Sequence, residues 1–411
     1  MKKMIYLDNA ATTPTAPEVI EAMLPFYERR YGNPSALYDL GQKSHDAIEE
    51  SRKIIAQSIG AQPEEIYFTA GGSESDNWAL KCTAESMVMR GRHIITTKIE
   101  HHAILRTCGY LEQNGYEITY LPVDDKGTVS LEQVRRAIRP DTILISVMMA
   151  NNEIGTIEPI ARIGMLARRY GICFHTDAVQ AYGHIPIEVN RMNIDMMSAS
   201  AHKFNGPKGT GFLYVRKKKR IPPFIHGGGQ ESGVRAGTEN VPGIVGMGKA
   251  AAMAMESLKE RMEIETRMRD YLIYSVLKQV PKVRLNGEWN NRLPNNVDFC
   301  FDELEGGNLL VMLDMDGICA SAGSACSSGE HEPSHVLTAI GVPPEIARGA
   351  LRLTLNEKIT AETAVSGLIV CAVLYFFLCR FMGYNLKKDF KALKTFSLLS
   401  FCQVNIFFVF F

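Results

Sequence analysis

The chain has 411 residues, 45 basic and 45 acidic, with 46% hydrophobic and 22% charged side chains, the composition of an ordinary soluble globular protein and long enough for two domains. The neutral sum joins two unlike parts: residues 366–411 hold five Lys/Arg, one acid and ten of the 18 Phe, whereas residues 1–365 hold 40 basic and 44 acidic side chains. An acidic body excludes nucleic acid as the main partner. Nine Cys without a CxxC pair give neither a disulfide scaffold nor a zinc rhythm, and an N-terminus without an apolar signal core sets the cytoplasm as the expected compartment.

In chain order, short apolar, β-branched runs predict strands at Ile66–Thr69, His93–Thr97, Thr142–Val147, Ile172–His175, Met196–Ala199 and Gly211–Val215. Helix-like stretches lie between several of them, at Glu74–Arg90, Ala103–Gly115, Leu131–Arg139 and Ile160–Tyr170. Strand followed by helix, repeated, predicts an α/β fold with a mainly parallel sheet covered on both faces. The basic run Arg216–Arg220 reads as a solvated turn. The Gly/Pro-rich stretch Ile221–Pro242 interrupts the pattern, and one long helix is expected from Gly243 to about Val280, with a domain boundary inside it near residue 255. Beyond Pro281 a smaller α+β unit is expected, extended at Asn296–Phe301 and Ile318–Ser321 and helical at Gly306–Met315.

Ligands of such sheets bind beyond the carboxyl ends of the strands, so the residues after each strand are the candidates for chemistry. Lys203, in Ser200-Ala-His-Lys-Phe-Asn-Gly, follows a strand end and can form a Schiff base with an aldehyde cofactor, or be a surface lysine in a turn. Asp177 puts a carboxylate at the end of a buried strand, where it either caps a turn or partners a cofactor ring nitrogen. Gly71-Gly-Ser-Glu-Ser75 opens a helix whose backbone N–H groups suit a phosphate, although Ser73 or Ser75 could serve as an N-cap. Together the three point to pyridoxal phosphate. His101 and His102 follow the second strand, as satisfied histidines or as proton carriers stacked on a ring. Small polar residues around Cys326 predict a mobile loop with an exposed, nucleophilic thiol.

These residues resemble the cysteine desulfurases of the NifS/IscS type, fold type I pyridoxal phosphate enzymes, from Tyr6-Leu-Asp-Asn-Ala-Ala-Thr-Thr-Pro14 through Asn356. The resemblance implies a fold type I transferase with a mainly parallel, seven-stranded-type large-domain sheet and a smaller α+β domain. Residues 1–15 would associate with the small domain, 16–255 form the large domain, 256–360 the small domain with the catalytic Cys loop, and 361–411 an atypical apolar tail. It further implies that Lys203 bonds the cofactor, that Asp177 partners the ring nitrogen and Gln180 the ring hydroxyl, and that Asn152 lies beside the ring. His101 would stack on it, and Gly72, Ser73, Ser200 and His202 would hold the phosphate. Thr238 would reach that phosphate from the other subunit of a homodimer, and Arg352 would fork onto the substrate carboxylate. Cys326 would take the sulfur of L-cysteine as a persulfide, leave alanine, and pass the sulfur to a scaffold or other acceptor protein, with a transient iron-sulfur cluster as a further use of the same thiol.

The chain departs from the family at Asn33-Pro-Ser-Ala-Leu-Tyr38, where a His is frequent, and again after Glu357-Lys-Ile-Thr360. There an acidic amphipathic helix is replaced by two uncharged runs of 17, Thr363–Cys379 and Thr395–Phe411, at the short edge of a bilayer span. A membrane pair and a packing helix are alternatives; an altered reading frame is the favoured account. A selenocysteine lyase or aminotransferase on the same fold, or an inactive binding protein, are the competing functions; Cys326 argues against the transaminase.

Overall fold

The computed structural model describes residues 4–217, 219, 221–302, 304–322 and 333–357. Cys326 and the tail lie outside the described residues. The chain begins with β1 (Ile5–Tyr6), α1 (Pro17–Glu28) and α2 (Asp39–Ser58). There follow β2 (Ile66–Thr69), α3 (Gly72–Ser86), β3 (His93–Thr97), α4 (His102–Gln113), β4 (Glu117–Leu121), α5 (Leu131–Ala137), β5 (Thr142–Ser146), α6 (Ile160–Tyr170), β6 (Cys173–Asp177), β7 (Met196–Ser200) and β8 (Gly211–Val215). The remainder comprises α7 (Val241–Glu256), α8 (Leu258–Gln279), β9 (Val283–Leu285), β10 (Asn296–Phe301), α9 (Gly306–Met315), β11 (Ile318–Cys319), α10 (His335–Ala339), α11 (Pro344–Ala347) and β12 (Ala350–Thr354).

Seven strands form the main sheet in the order β2-β8-β7-β6-β5-β3-β4. Only β8 opposes its neighbours β2 and β7, so the other six deliver their carboxyl ends to one edge. Successive residues of each strand enter different cores: Phe68, Ile95, Ile145, Phe174, Met197 and Tyr214 pack with α2, α6 and α7, while Ile94, Leu144, Cys173, Met196 and Leu213 pack with α3 and α4. That alternation is the period-two signature of a sheet buried on both faces. On α6, Ile160, Ile163, Gly164 and Ala167 are buried at helical spacing, as an amphipathic helix on a sheet requires.

All six predicted strands form, three with the expected ends and three with end shifts of one or two residues. The seventh, β4, escapes the sequence reading because it is the edge strand: it starts at an exposed Glu117 and buries only Leu121 fully, so its apolar signal is diluted. The single helix expected over 243–280 is two. The Ser257 hydroxyl donates to the carbonyl of Met253 at 3.0 Å, a back-bond that competes with regular helix geometry. Residues before this break pack in the main core and residues after it pack with β10 and β12. In the basic run, Arg216 and Lys219 pair with Asp195, and Lys217 with Glu64.

A three-stranded antiparallel sheet, β12-β10-β9, and the parallel pair β1-β11 complete the fold. The N-terminal segment is stitched to both: Leu7 is fully buried in the core of the small sheet, and Asp8 bridges Thr354 of β12.

Candidate active site

The carboxyl edge of the main sheet carries a cavity of about 440 Å³. Gly72, Ser73, His101, Asn152, Asp177, Gln180, Ser200, His202, Lys203 and Arg352 all line it, so ten of the residues singled out from the sequence meet there. Thr238 is exposed and does not line it; Cys326 lies outside the described residues.

Local structure explains each placement. Strand β6 ends at Asp177, which is 5% exposed and accepts the N–H of Val179 at 2.9 Å, as the turn-capping reading expects; it also lines the cavity. Strand β7 ends at Ser200, and a single tight turn, Ala201–Lys203, brings the amine back over the edge. Lys203 Nζ donates to the carbonyls of Ala10 at 2.6 Å and Ala11 at 2.9 Å. Gln180 donates to the same Ala10 carbonyl at 2.9 Å. His202 Nδ1 lies 3.1 Å from the Thr12 hydroxyl, and burial pulls its pKa down to about 4, so it is neutral near pH 7.

The first turn of α3 is open because Gly71, with φ +151°, is its N-cap and no side chain caps it. A Cβ on Gly72 would meet Val179 Cγ2 at 2.5 Å. Ser75 is structural, bonded to Thr69 at 2.8 Å and to the carbonyl of Phe212 at 3.1 Å, whereas Ser73 faces the cavity. The helix therefore presents bare N–H groups beside Ser73 and Ser200, the arrangement that binds a phosphate.

His101 is the N-cap of α4, its Nδ1 accepting the Ala103 N–H at 3.1 Å. A backbone N–H can only donate, so the neutral ring keeps its proton on Nε2. Burial lowers its pKa, with Asp177 acting against the shift and Lys203 with it. The His102 and His335 rings pack with centroids 4.8 Å apart on the cavity wall.

Four groups have no role in the sequence reading. Asp76, on α3, is 1% exposed, and its carboxylate, that of Asp177 and a His101 nitrogen all lie within 4.8 Å of one another. Burial raises both acids, and Asp177 raises Asp76 further, so this end of the cavity favours a cationic guest. Glu100 is fully buried and accepts from the Thr97 hydroxyl at 2.7 Å and the Met148 N–H at 3.0 Å; burial pushes it up to about 8. Asp8 pairs with Arg352 at 2.9 Å. The Asn151 side chain accepts the N–H groups of Glu153 and Ile154 at 2.9 and 3.0 Å, which fixes the turn that carries Asn152.

Residues 5–363 match the family Aminotransferase class-V. The chain belongs to that family. Within it, the chain is 55% identical over 360 residues to a cysteine desulfurase IscS of Methanosarcina thermophila, covering 88% of this chain and 89% of that one. It is 46% identical to a putative cysteine desulfurase IscS 1 of Bacillus subtilis, covering 87% and 95%. Among solved structures, a NifS-like protein superimposes with a TM-score of 0.86 at 39% identity, covering 92% of this chain and all of that one. SspA in complex with cysteine gives 0.77 at 40% identity, covering 87% and 99%. The resemblance stated from the motifs is thus matched in family and in fold. The departing stretch Asn33–Tyr38 is away from the cavity, with Leu37 94% exposed.

Proposed function

We propose that this chain is a pyridoxal phosphate-dependent cysteine desulfurase that converts L-cysteine to L-alanine and carries the released sulfur on Cys326. The observation that carries this reading is the single cavity that joins Lys203, Asp177, His101 and Arg352 to the open N-terminus of α3.

The cavity residues fit the cofactor. The uncapped helix start and Ser200 suit its phosphate, Lys203 supplies the amine that holds its aldehyde carbon, and buried Asp177 supplies the acid for a ring nitrogen. Asp76 Oδ1, which makes no hydrogen bond among the described residues and lies 3.7 Å from His175 Nε2, adds a second acceptor at that end. When bound, the cofactor serves as the electron sink that makes the substrate Cα–H acidic.

Arg352 would bind the amino-acid carboxylate, and the Lys203 amine would take the Cα proton. His101, neutral with its proton on Nε2, would stack beside Asp177 and exchange protons. The Cys326 thiolate would attack the substrate sulfur: an S–S bond forms, the C–S bond breaks, and the carbon side takes a proton and leaves as alanine. Ser321 is tied to Arg352 by backbone bonds at 3.2 and 2.6 Å, and an extended chain advances at most about 3.6 Å per residue, so the five residues from Ser321 to Cys326 span up to about 18 Å.

A homodimer is part of this reading. Its supports are the exposed apolar residues Ile20, Leu24 and Tyr27 along one face of α1 and the exposed Thr238, which would serve the partner's phosphate site. Sulfur acceptors, a transient cluster on Cys326 and a cytoplasmic location complete the proposal.

The test is turnover. The purified protein is expected to show the visible absorbance of lysine-bound cofactor and to release alanine and, with a reductant, sulfide from L-cysteine. Cys326→Ala should keep the absorbance and lose sulfide release; full activity in that variant would remove the thiol from the mechanism.

A further inference from the structure

Asp8 is held in place by its backbone neighbours. The Thr354 N–H donates to the Leu7 carbonyl at 2.7 Å, the Asn9 side chain to the Thr354 carbonyl at 2.7 Å, and the Ala10 N–H to the Thr354 hydroxyl at 2.8 Å. With residues 7 to 10 clamped on β12, the Asp8 carboxylate meets Arg352 two residues back along that strand, Oδ1 to Nη2 at 2.9 Å. The other terminal nitrogen, Nη1, donates to the Asn152 carbonyl at 3.1 Å. The arginine side chain is 3% exposed and the aspartate 18%.

We infer that Asp8 is a positioning residue for substrate recognition: it fixes the plane of the Arg352 guanidinium before the amino acid arrives. The inference rests on the desulfurase reading, in which Arg352 receives the substrate carboxylate. A guanidinium this deeply buried needs countercharge; Asp8 is in direct contact with it, while Glu153 and Asp298 feel its charge as well. A fork held at two nitrogens by a carboxylate and a carbonyl does not have to be ordered when the substrate binds, which favours affinity and alignment alike. The same short segment then turns its Ala10 and Ala11 carbonyls to Lys203. One stretch of backbone therefore sets the spacing between the amine at the reacting carbon and the guanidinium at the carboxylate.

The experiment follows the visible absorbance of the holoenzyme during titration with L-alanine and, separately, with L-alanine methyl ester, which lacks the anionic carboxylate. Asp8→Asn should raise the dissociation constant for L-alanine by about tenfold or more, in keeping with the sensitivity of charged forks to alignment, and leave that for the ester unchanged. The KM for L-cysteine should rise by more than kcat falls. Added to Arg352→Gln, Asp8→Asn should have no further effect on L-alanine. Should Asp8→Asn fail to fold, Asp8→Glu, which keeps the charge but displaces it by a methylene, must likewise weaken L-alanine and spare the ester. Unchanged or tighter L-alanine binding, or equal weakening of the ester, overturns the role of Asp8. A wild-type spectrum that does not respond to L-alanine overturns the desulfurase reading itself, so the two failures are told apart.

Discussion

At the scale of single residues the site is a problem of buried charge. Asp177 and Asp76 lie close together at the end of β6 and the first turns of α3, and burial disfavours the ionised form of each. A cationic ring against Asp177 reverses that preference by Coulomb attraction in a poorly solvated place. Replacing Asp177 with Asn should therefore leave cofactor attached to Lys203 but lower turnover by at least about a hundredfold, the usual effect of deleting one preorganised electrostatic partner. The check is kcat measured beside the visible absorbance; near-normal kcat with retained absorbance would rule the acid out. Asp177 and Lys203 were legible in the sequence because each directly follows an apolar strand, where a charged residue is conspicuous. Asp76 was not: in Ser-Glu-Ser-Asp-Asn it reads as part of the solvated face of a helix, and only the packing of α3 onto the sheet buries it. Asp8 was quoted as part of a motif, yet its partner lies 344 residues away, and no local pattern connects the two.

At the scale of elements, short apolar, β-branched runs were enough to read nearly all of the main sheet from the sequence, whereas the parts that depend on tertiary context were less visible. The edge strand β4 and the break at Ser257 are examples, since Ser is an acceptable helix residue whose back-bond shows only in three dimensions. We propose that this break is the boundary between large and small domains, because the core partners change there. Glu265 on α8, 1% exposed, gives that helix a pH dependence. Burial pushes its carboxyl up to about 8 from a usual 4.5. A raised pKa means that the folded form binds the proton more tightly, so its contribution to stability is complete below about pH 4.5 and is lost as pH rises through about 8. The urea midpoint should fall between pH 6 and pH 9, and Glu265→Gln, which cannot ionise, should lessen the fall. An identical pH slope in the variant would show that the carboxyl is already solvated.

At the scale of the whole molecule the family match ends at residue 363, and the cavity-lining groups identified among the described residues all precede it. A chain truncated after Asn356 should therefore keep cofactor absorbance, cysteine turnover and its oligomeric state; loss of solubility or of dimer, judged by sedimentation, would make the tail a structural part. The neutral charge sum of the full sequence is in this light an average over two unlike regions. The stitching of residues 5–11 to β11, β12 and Lys203 also bears on how the protein is made. Synthesis runs at roughly 5 to 20 residues per second, so the N-terminal segment leaves the ribosome roughly 20 to 70 seconds before its partner strand β12 exists. Its bonds to Thr354 must wait through that interval, whereas the Ala10 and Ala11 carbonyls need only Lys203 as a partner. The pairing of Arg352 with the N-terminal segment is therefore among the last parts of the site to form.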